Sequence, residues 1–461
     1  MFIVTSSPWR SGVRLAASVC LAAVGPLSGC ATYSTGFAAV EAQLAAKNYD
    51  AALDAIEQQS HASRDKILYL LNRGMVLRMK RDYRASNDTF EAAKKLMDEL
   101  YGLSLREQSL TFVINDATTS YVGEEYEQVL LHLYKALNFL DLGELDAARV
   151  EALQVDVLLR QFGGGIPDNK YTEDAFVRYL TGLIYEELRE WSDALIAYRK
   201  AYEAYLKYEK HYGVPVPGLL KLDLLRLAQR QGLHNEVERY RRSFGIETWQ
   251  SAGERAQLGE IVFMLHNGLV PIKREQSANV LDPSSGHLIR ISLPYYQDRP
   301  SAVSSARLRV DVRVASTEVA EDVGAIARQS LESKMAGITA RAVARAAVKA
   351  AAAREARKAA QQKSRDGSNE SAIAAILLGL SVEAATVLTE RADTRSWLTL
   401  PQNIQLARVP LPPGNYDVRV ELLGAGQQVL GTHDFRQVVV RKGHQTHLWH
   451  HAVPTPSTLR R

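Results

Sequence analysis

Between residues 37 and 250, apolar positions recur at spacings of three and four, and β-branched runs are few. This pattern predicts one helix after another. Beyond about residue 250 the period changes. Residues 287–293 alternate apolar and polar, and 307–314 alternate as one continuous strand with Arg307, Arg309, Asp311 and Arg313 on one face. Similar stretches lie at 404–409, 416–422, 429–433, 435–440 and 447–450, each with the period of a half-buried strand. Pro412-Pro413-Gly414-Asn415 reads as a turn into a strand. Together these predict a small antiparallel β-sandwich of roughly six to eight strands. Residues 318–396 interrupt it with a helical pattern that is alanine-rich from 336 to 362 and apolar from 373 to 380. Asp366-Gly367-Ser368-Asn369 is the expected turn of a helical hairpin.

The predicted fold class is therefore α+β and multidomain. Residues 30–250 form the helical domain and 251–286 a linker marked by Pro271 and Pro283. The segments 287–317 and 397–452 form the sandwich, which carries the hairpin 318–396 as an insertion.

Several helical stretches resemble the tetratricopeptide repeat, in which a small residue lets two helices cross and aromatic side chains wedge them. Gly182, Trp191, Ala194 and Tyr198 make the clearest copy, and Gly74, Tyr83 and Phe90 sit at the same offsets. A third copy has Ala136, Phe139, Gly143, Leu145 and Ala148. Weaker fragments are Tyr49-Asp50-Ala51-Ala52 and Gly232-Leu233-His234. The turn residues Tyr83, Leu145, Trp191 and His234 are unevenly spaced, where a regular array repeats about every 34 residues. A degenerate array with insertions is expected, with a concave surface suited to peptides or proteins.

The N-terminal segment has the parts of a secretory signal. Arg10 and Arg14 precede an apolar run at 15–24, and Leu27-Ser28-Gly29-Cys30 follows. The run is short for a bilayer span, which needs about 20 residues, and fits a processed signal. The four-residue pattern resembles the lipobox of bacterial lipoproteins. That likeness implies removal of residues 1–29 and a diacylglycerol on the Cys30 sulfur. Two or more acyl chains hold a protein stably at a membrane. Ala31, and not aspartate, follows the cysteine. In a Gram-negative host this implies the periplasmic face of the outer membrane. The chain has two cysteines, and Cys20 leaves with the signal, so no disulfide is expected.

Composition adds exclusions. At 461 residues the chain is too long for one core. Its 46% hydrophobic and 23% charged content is that of a globular protein. A net charge of +4 argues against a dedicated nucleic-acid binder.

Candidate chemistry is sparse. Asp116, Glu124, Glu125 and Glu127 surround the start of a helix. They could form a ligand or metal loop, though acids in a first turn also complement the helix dipole. Asp116 and Glu124 are the candidate acid-base pair. Gly163-Gly164-Gly165 lacks the strand-to-helix setting of a phosphate loop and reads as a connector. His444, His447, His450 and His451 are numerous enough for a metal, but no carboxylate or thiol nearby completes a site. Arg341, Arg345 and Lys349 share one helical face, continued by Arg354 and Lys358. They form either a solvated edge or a contact for an anionic partner. Nucleophile-elbow, zincin and phosphate-loop motifs are missing from the sequence, so no enzyme, cofactor or resident metal is expected.

Two stretches resemble an uncharacterised family of bacterial envelope lipoproteins with tetratricopeptide-like helices. One is Tyr121-Val122-Gly123-Glu124-Glu125-Tyr126-Glu127 with the following Leu142-Gly143-Glu144-Leu145-Asp146-Ala147-Ala148-Arg149-Val150-Glu151. The other is Asp393-Thr394-Arg395-Ser396-Trp397-Leu398-Thr399-Leu400-Pro401. The likeness implies a non-enzymatic scaffold for an envelope protein in a cell-wall context, and brings no catalytic residues. Direct binding of peptidoglycan or another anionic envelope polymer through the basic arm is the alternative. The strand pattern is similar to immunoglobulin-like folds, and Trp397 is expected as a core anchor.

Overall fold

The computed structural model describes residues 33–59, 63–107, 119–165, 171, 173–281, 288–365 and 391–454. Cys30, Asp116, the expected hairpin turn at 366–369 and the apolar stretch 373–380 lie outside them.

After a one-turn α1 (Tyr33–Gly36), the helices come in antiparallel pairs. These are α2 (Ala38–Ala45) with α3 (Tyr49–Gln58), α4 (Lys66–Met79) with α5 (Tyr83–Glu107), and α6 (Glu125–Leu142) with α7 (Leu145–Gly165). The pairs α8 (Ala175–Glu187) with α9 (Trp191–Tyr212) and α10 (Gly218–Arg230) with α11 (His234–Phe244) follow. Each pair closes on the same device. A residue with positive φ follows the first helix: Lys47, Arg81, Gly143, Arg189 or Gly232. The next N–H reaches back five residues, as in Asn48 to Gln43, Asp82 to Leu77, Glu144 to Phe139, Glu190 to Tyr185 and Leu233 to Ala228. This is the Schellman closure, which satisfies otherwise orphaned helix carbonyls.

Close crossings explain the small residues. A Cβ on Gly74 would lie 2.6 Å from the Phe90 ring, and one on Gly182 would lie 2.2 Å from the Tyr198 ring. Ala194 is fully buried beside them.

A one-turn α12 (Ala252–Arg255) leads into the β-structure. The strands are β1 (Gly259–Asn267), β2 (Ile272–Leu281), β3 (Leu288–Gln297), β4 (Ser305–Val310) and β5 (Arg313–Ser316). After β6 (Glu318–Glu321) comes the long α13 (Val323–Arg365), then β7 (Asn403–Leu411), β8 (Gly414–Leu423), β9 (Val429–Val440) and β10 (Gln445–Ala452). One sheet has the order β10-β1-β7-β6, the second β5-β4-β8-β9, and β2 with β3 forms a separate hairpin. Ile261, Phe263 and Leu265 of β1 meet Leu308, Val418 and Val420 between the two sheets.

Five expectations change. The stretch expected as the first strand of the sandwich falls in β3, which forms the separate hairpin with β2. The supposed linker 251–286 contains β1, the strand between β10 and β7, whose residues are all buried. Its run of apolar residues does not alternate because both its faces are covered. The sandwich is not wholly antiparallel, since β1 pairs with β10 in parallel. The alternating run 307–314 is two strands broken at Asp311, where φ is +50°, with Val312 95% exposed at the turn. Finally, the insertion begins with β6, a member of the first sheet, and α13 follows it.

The helix-facing side of the first sheet does not form a core of its own. Val262, Met264, Ile404 and Leu406 belong to one continuous apolar cluster with Tyr134, Leu183 and Leu224 of the array. The architecture is thus three layers, helices on sheet on sheet.

Candidate binding cleft

The face of the array that was expected to be open is covered by the chain's own C-terminal half. Residues 391–400 run as a strap against α4, α5 and α6. Trp397 is fully buried, edge-on to Phe90 and Tyr134 at centroid distances of 5.6 and 6.0 Å. Asn72 Oδ1 accepts from the Thr399 N–H at 3.1 Å and from its hydroxyl at 3.0 Å. Arg395 donates to Asp65 at 3.1 Å and to the Thr119 carbonyl at 2.9 Å. Tyr205 of α9 is buried and donates its hydroxyl to the Ala320 carbonyl at 2.8 Å.

Further along, a buried ion network joins array to sheet. Arg408 on β7 donates to Asp223 of α10 and, at 2.5 Å, to Glu260 of β1. Arg226 donates to Glu186 at 2.7 Å and to Asp223 at 2.8 Å. Arg255 closes on Glu260 at 2.5 Å. The hydroxyls of Tyr179 and Tyr198 donate to Asp223 at 2.9 Å and to Glu186 at 2.8 Å. Burial alone would raise the acids Glu186 and Glu260, yet the arginines beside them hold both below the usual carboxylate range. They stay ionised and paired.

Above this floor opens a cleft of about 560 Å³, within the size range of ligand sites. The turns after α8 and β9, the end of α10 and the one-turn α12 surround it. Arg189, Arg226, Arg230, Arg255 and Lys442 face Glu186, Glu187 and Glu260, five cations against three carboxylates. Glu187 accepts from the Gln445 N–H at 2.7 Å and bonds His444 Nδ1 at 2.8 Å. Arg230 lies over the Trp191 ring at 4.1 Å. Trp191 is therefore both the wedge of a helix pair and a wall of the cleft.

The other candidates have structural partners. Glu124 and Glu127 form a reciprocal capping box on α6. Glu124 also binds Lys273 of β2 and Lys334 of α13, each at 2.7 Å. Despite burial, those lysines hold its carboxyl well below the usual range. Glu125 pairs with Lys334 as well. The acidic loop is thus a strut between α6, the hairpin and α13, and a strongly ionised Glu124 is unsuited to general acid work.

The basic row is not a solvated strip. Arg345 is only 4% exposed, on the face where Ala342 and Ala346 are also buried. Arg341 and Arg354 are half-buried and have partners. Lys358 is exposed and donates to Glu355 at 3.0 Å within its own helix. Lys349 lies on α13 between them.

The histidines disperse. His450 stacks on His433 at 4.6 Å, His444 binds Glu187, and His451 bonds the Gly268 carbonyl at 3.0 Å. Burial lowers His447 and His451 to about 4 and His450 to about 3. Among the described residues no group of three His, Cys, Asp or Glu is placed to hold a metal, and no helix is long and apolar enough to cross a membrane.

The rim cations Arg189, Arg230 and Lys442 come from two turns and a helix end far apart in the chain, so no local pattern joins them. Of the lining residues, Trp191 carries a sequence signal for packing and His444 one for a metal, and neither points to this cleft.

No family model matches the chain, and no curated protein does. Among solved structures, a MamA crystal structure is similar over 47% of this chain and 97% of its own, with 13% identity and a TM-score of 0.29. The apo form of RapI is similar over 50% of this chain and 58% of its own, at 15% identity and a TM-score of 0.35. A Rap conjugation gene regulator of plasmid pLS20 in complex with the Phr* peptide is similar over 46% and 53%, at 15% identity and 0.29. Likenesses of this size carry no argument for function.

Proposed function

We propose that the protein is a non-enzymatic docking module of the bacterial envelope, tethered through an acylated Cys30 to the periplasmic face of the outer membrane. The tether rests on the lipobox-like residues Leu27 to Cys30. The docking role rests on the cleft. Its carboxylates are already paired with fixed arginines or engaged in hydrogen bonds, which suits a site that holds a ligand without moving protons. The helix-lined groove serves assembly of the protein itself, so an envelope partner would meet the cleft at the junction of the array and the sandwich.

Fatty-acid labelling and membrane fractionation of wild type and Cys30→Ser test the tether. The wild type should carry label and sediment with the outer membrane, and the variant should be unlabelled and released. An unlabelled variant that still sediments with membranes overturns the assignment. For docking, a photo-crosslinker at Lys442 should trap a defined envelope protein, and the product should disappear on adding Arg189→Glu. Crosslinks that are unaffected by that charge reversal count against the cleft as the docking surface.

A further inference from the structure

The charge balance and wall chemistry of the cleft narrow its ligand. Each acid in its lining has an internal partner: Glu186 with Arg226, Glu260 with Arg255 and Arg408, Glu187 with His444 and the Gln445 N–H. The cations at its mouth have no carboxylate partner among the described residues. Arg189 is exposed and stands at φ +64°, and its side chain makes no ion pair or hydrogen bond among the described residues. Its Nη2 lies 3.6 Å from where a Cβ on Gly443 would sit, so the guanidinium reaches over the opposite turn. The Arg230 guanidinium carbon lies over the Trp191 ring at 4.1 Å, and its side chain makes no ion pair or hydrogen bond among the described residues. Lys442 donates to Gln257, a neutral acceptor that leaves its charge in place.

A single negative charge with an apolar neighbour matches this mouth better than a phosphate does. Phosphate sites are commonly built from open helix N-termini or backbone nests. Here the C-terminal ends of α8 and α10 supply lining residues, and their carbonyl poles oppose a dianion, while the start of α9 meets the cleft through the Trp191 side chain, whose ring lies under Arg230. At α12, which has a single turn, the capping box engages the Glu254 and Ser251 N–H groups and the Ser251 carbonyl accepts from the Arg255 N–H. The remaining wall, Ala252, Ala256 and Leu258, is small and apolar.

We propose that this cleft is a receptor for a peptide carboxylate, held by Arg189, Arg230 and Lys442, with small apolar residues of the peptide against Ala252, Ala256 and Leu258. This rests on the docking reading and names the chemistry of its ligand. Such a carboxylate can come from a chain terminus or from an acidic side chain.

The test uses detergent-solubilised full-length protein and calorimetric titration. The probes are acetyl-Ala-Ala-Ala as the free acid, the same peptide as its amide, an amidated alanine peptide with one internal Asp, and inorganic phosphate. The free acid, the Asp peptide or both should bind saturably, and which of them binds identifies the source. Arg189→Gln and Lys442→Gln should each weaken binding about tenfold, the loss of one charge-assisted contact. Both side chains are exposed, so melting temperatures should not change. Equal binding of the neutral amide, binding of phosphate alone, unchanged affinity in both variants, or no binding of any probe would each overturn the proposal. The labelling and crosslinking results stand apart from this titration, so docking through another ligand chemistry would remain visible if the peptide reading fails.

Discussion

The backbone N–H of Trp397 donates to Glu127 Oε1 at 2.7 Å, tying the strap at 391–400 to the first turn of α6. The other oxygen of Glu127 accepts from the Tyr121 hydroxyl at 2.5 Å and from the Glu124 N–H at 3.1 Å. The carboxylate that caps α6 therefore also receives the strap, and array and sandwich are expected to unfold as one unit.

Trp397→Ala should test that unity. It empties a fully buried site between Phe90 and Tyr134 and should cost about 3–5 kcal/mol. Urea denaturation followed by circular dichroism should show one earlier transition that includes both helix and strand signals. An early loss of strand signal alone would mean that the strap does not couple the layers.

Gly182→Ala and Gly143→Ala should both destabilise, for different reasons. At Gly182 the added methyl meets the buried Tyr198 ring at 2.2 Å, an overpacking cost of about 1–3 kcal/mol. At Gly143 there is open space, but φ is +73°, which costs an L-residue about 1–2 kcal/mol. Tyr198→Leu should partly rescue the first and leave the second unchanged in thermal melts.

Arg408→Met should cost about 3–5 kcal/mol at neutral pH, because it leaves buried Asp223 and Glu260 without their shared cation. The folded-state values of Glu186 and Glu260 are depressed. Their contribution is therefore present above the unfolded carboxylate value of about 4.3 and is lost as pH falls through the lower folded values. Melts of wild type and variant between neutral pH and the acid limit should show the gap narrowing on the acid side.

Glu321→Gln should act in the opposite sense. Glu321 is fully buried and its two carboxyl oxygens have no hydrogen-bond partner among the described residues. Burial, with Asp174 and Asp322 nearby, pushes it well above the usual range. A carboxyl raised in the folded state binds its proton there more readily than in the unfolded chain. Stability therefore falls as pH rises from the unfolded value toward the folded one. The glutamine variant should melt higher than wild type at pH 8 and lose part of this advantage near pH 4.

The repeat turns were legible because they are local. Small Gly74 and Gly182 stand sixteen residues before the aromatic rings they admit, and the turn residues Tyr83, Leu145, Trp191 and His234 each open a second helix. The acidic start of α6 was legible as a helix end for the same reason. The strap, β1 and the basic row were misread or missed where burial came from distant chain. An apolar run such as 261–265 reads alike as linker or as a doubly covered strand until its second face has a neighbour. Arg345 reads as a solvated cation until its helix face is buried.

By itself the sequence determined the helix pairs and most of the strands, because periodicity, turn chemistry and small-to-aromatic spacing act within a few turns of chain. Only the tertiary structure decided that the groove is filled from within and that a charged cleft opens at the junction of array and sandwich. Arg408 and Asp223 are 185 residues apart, and no local window couples charges at that separation. Folding one sheet against the array removes water from between them and leaves the cations on the neighbouring turns facing outward.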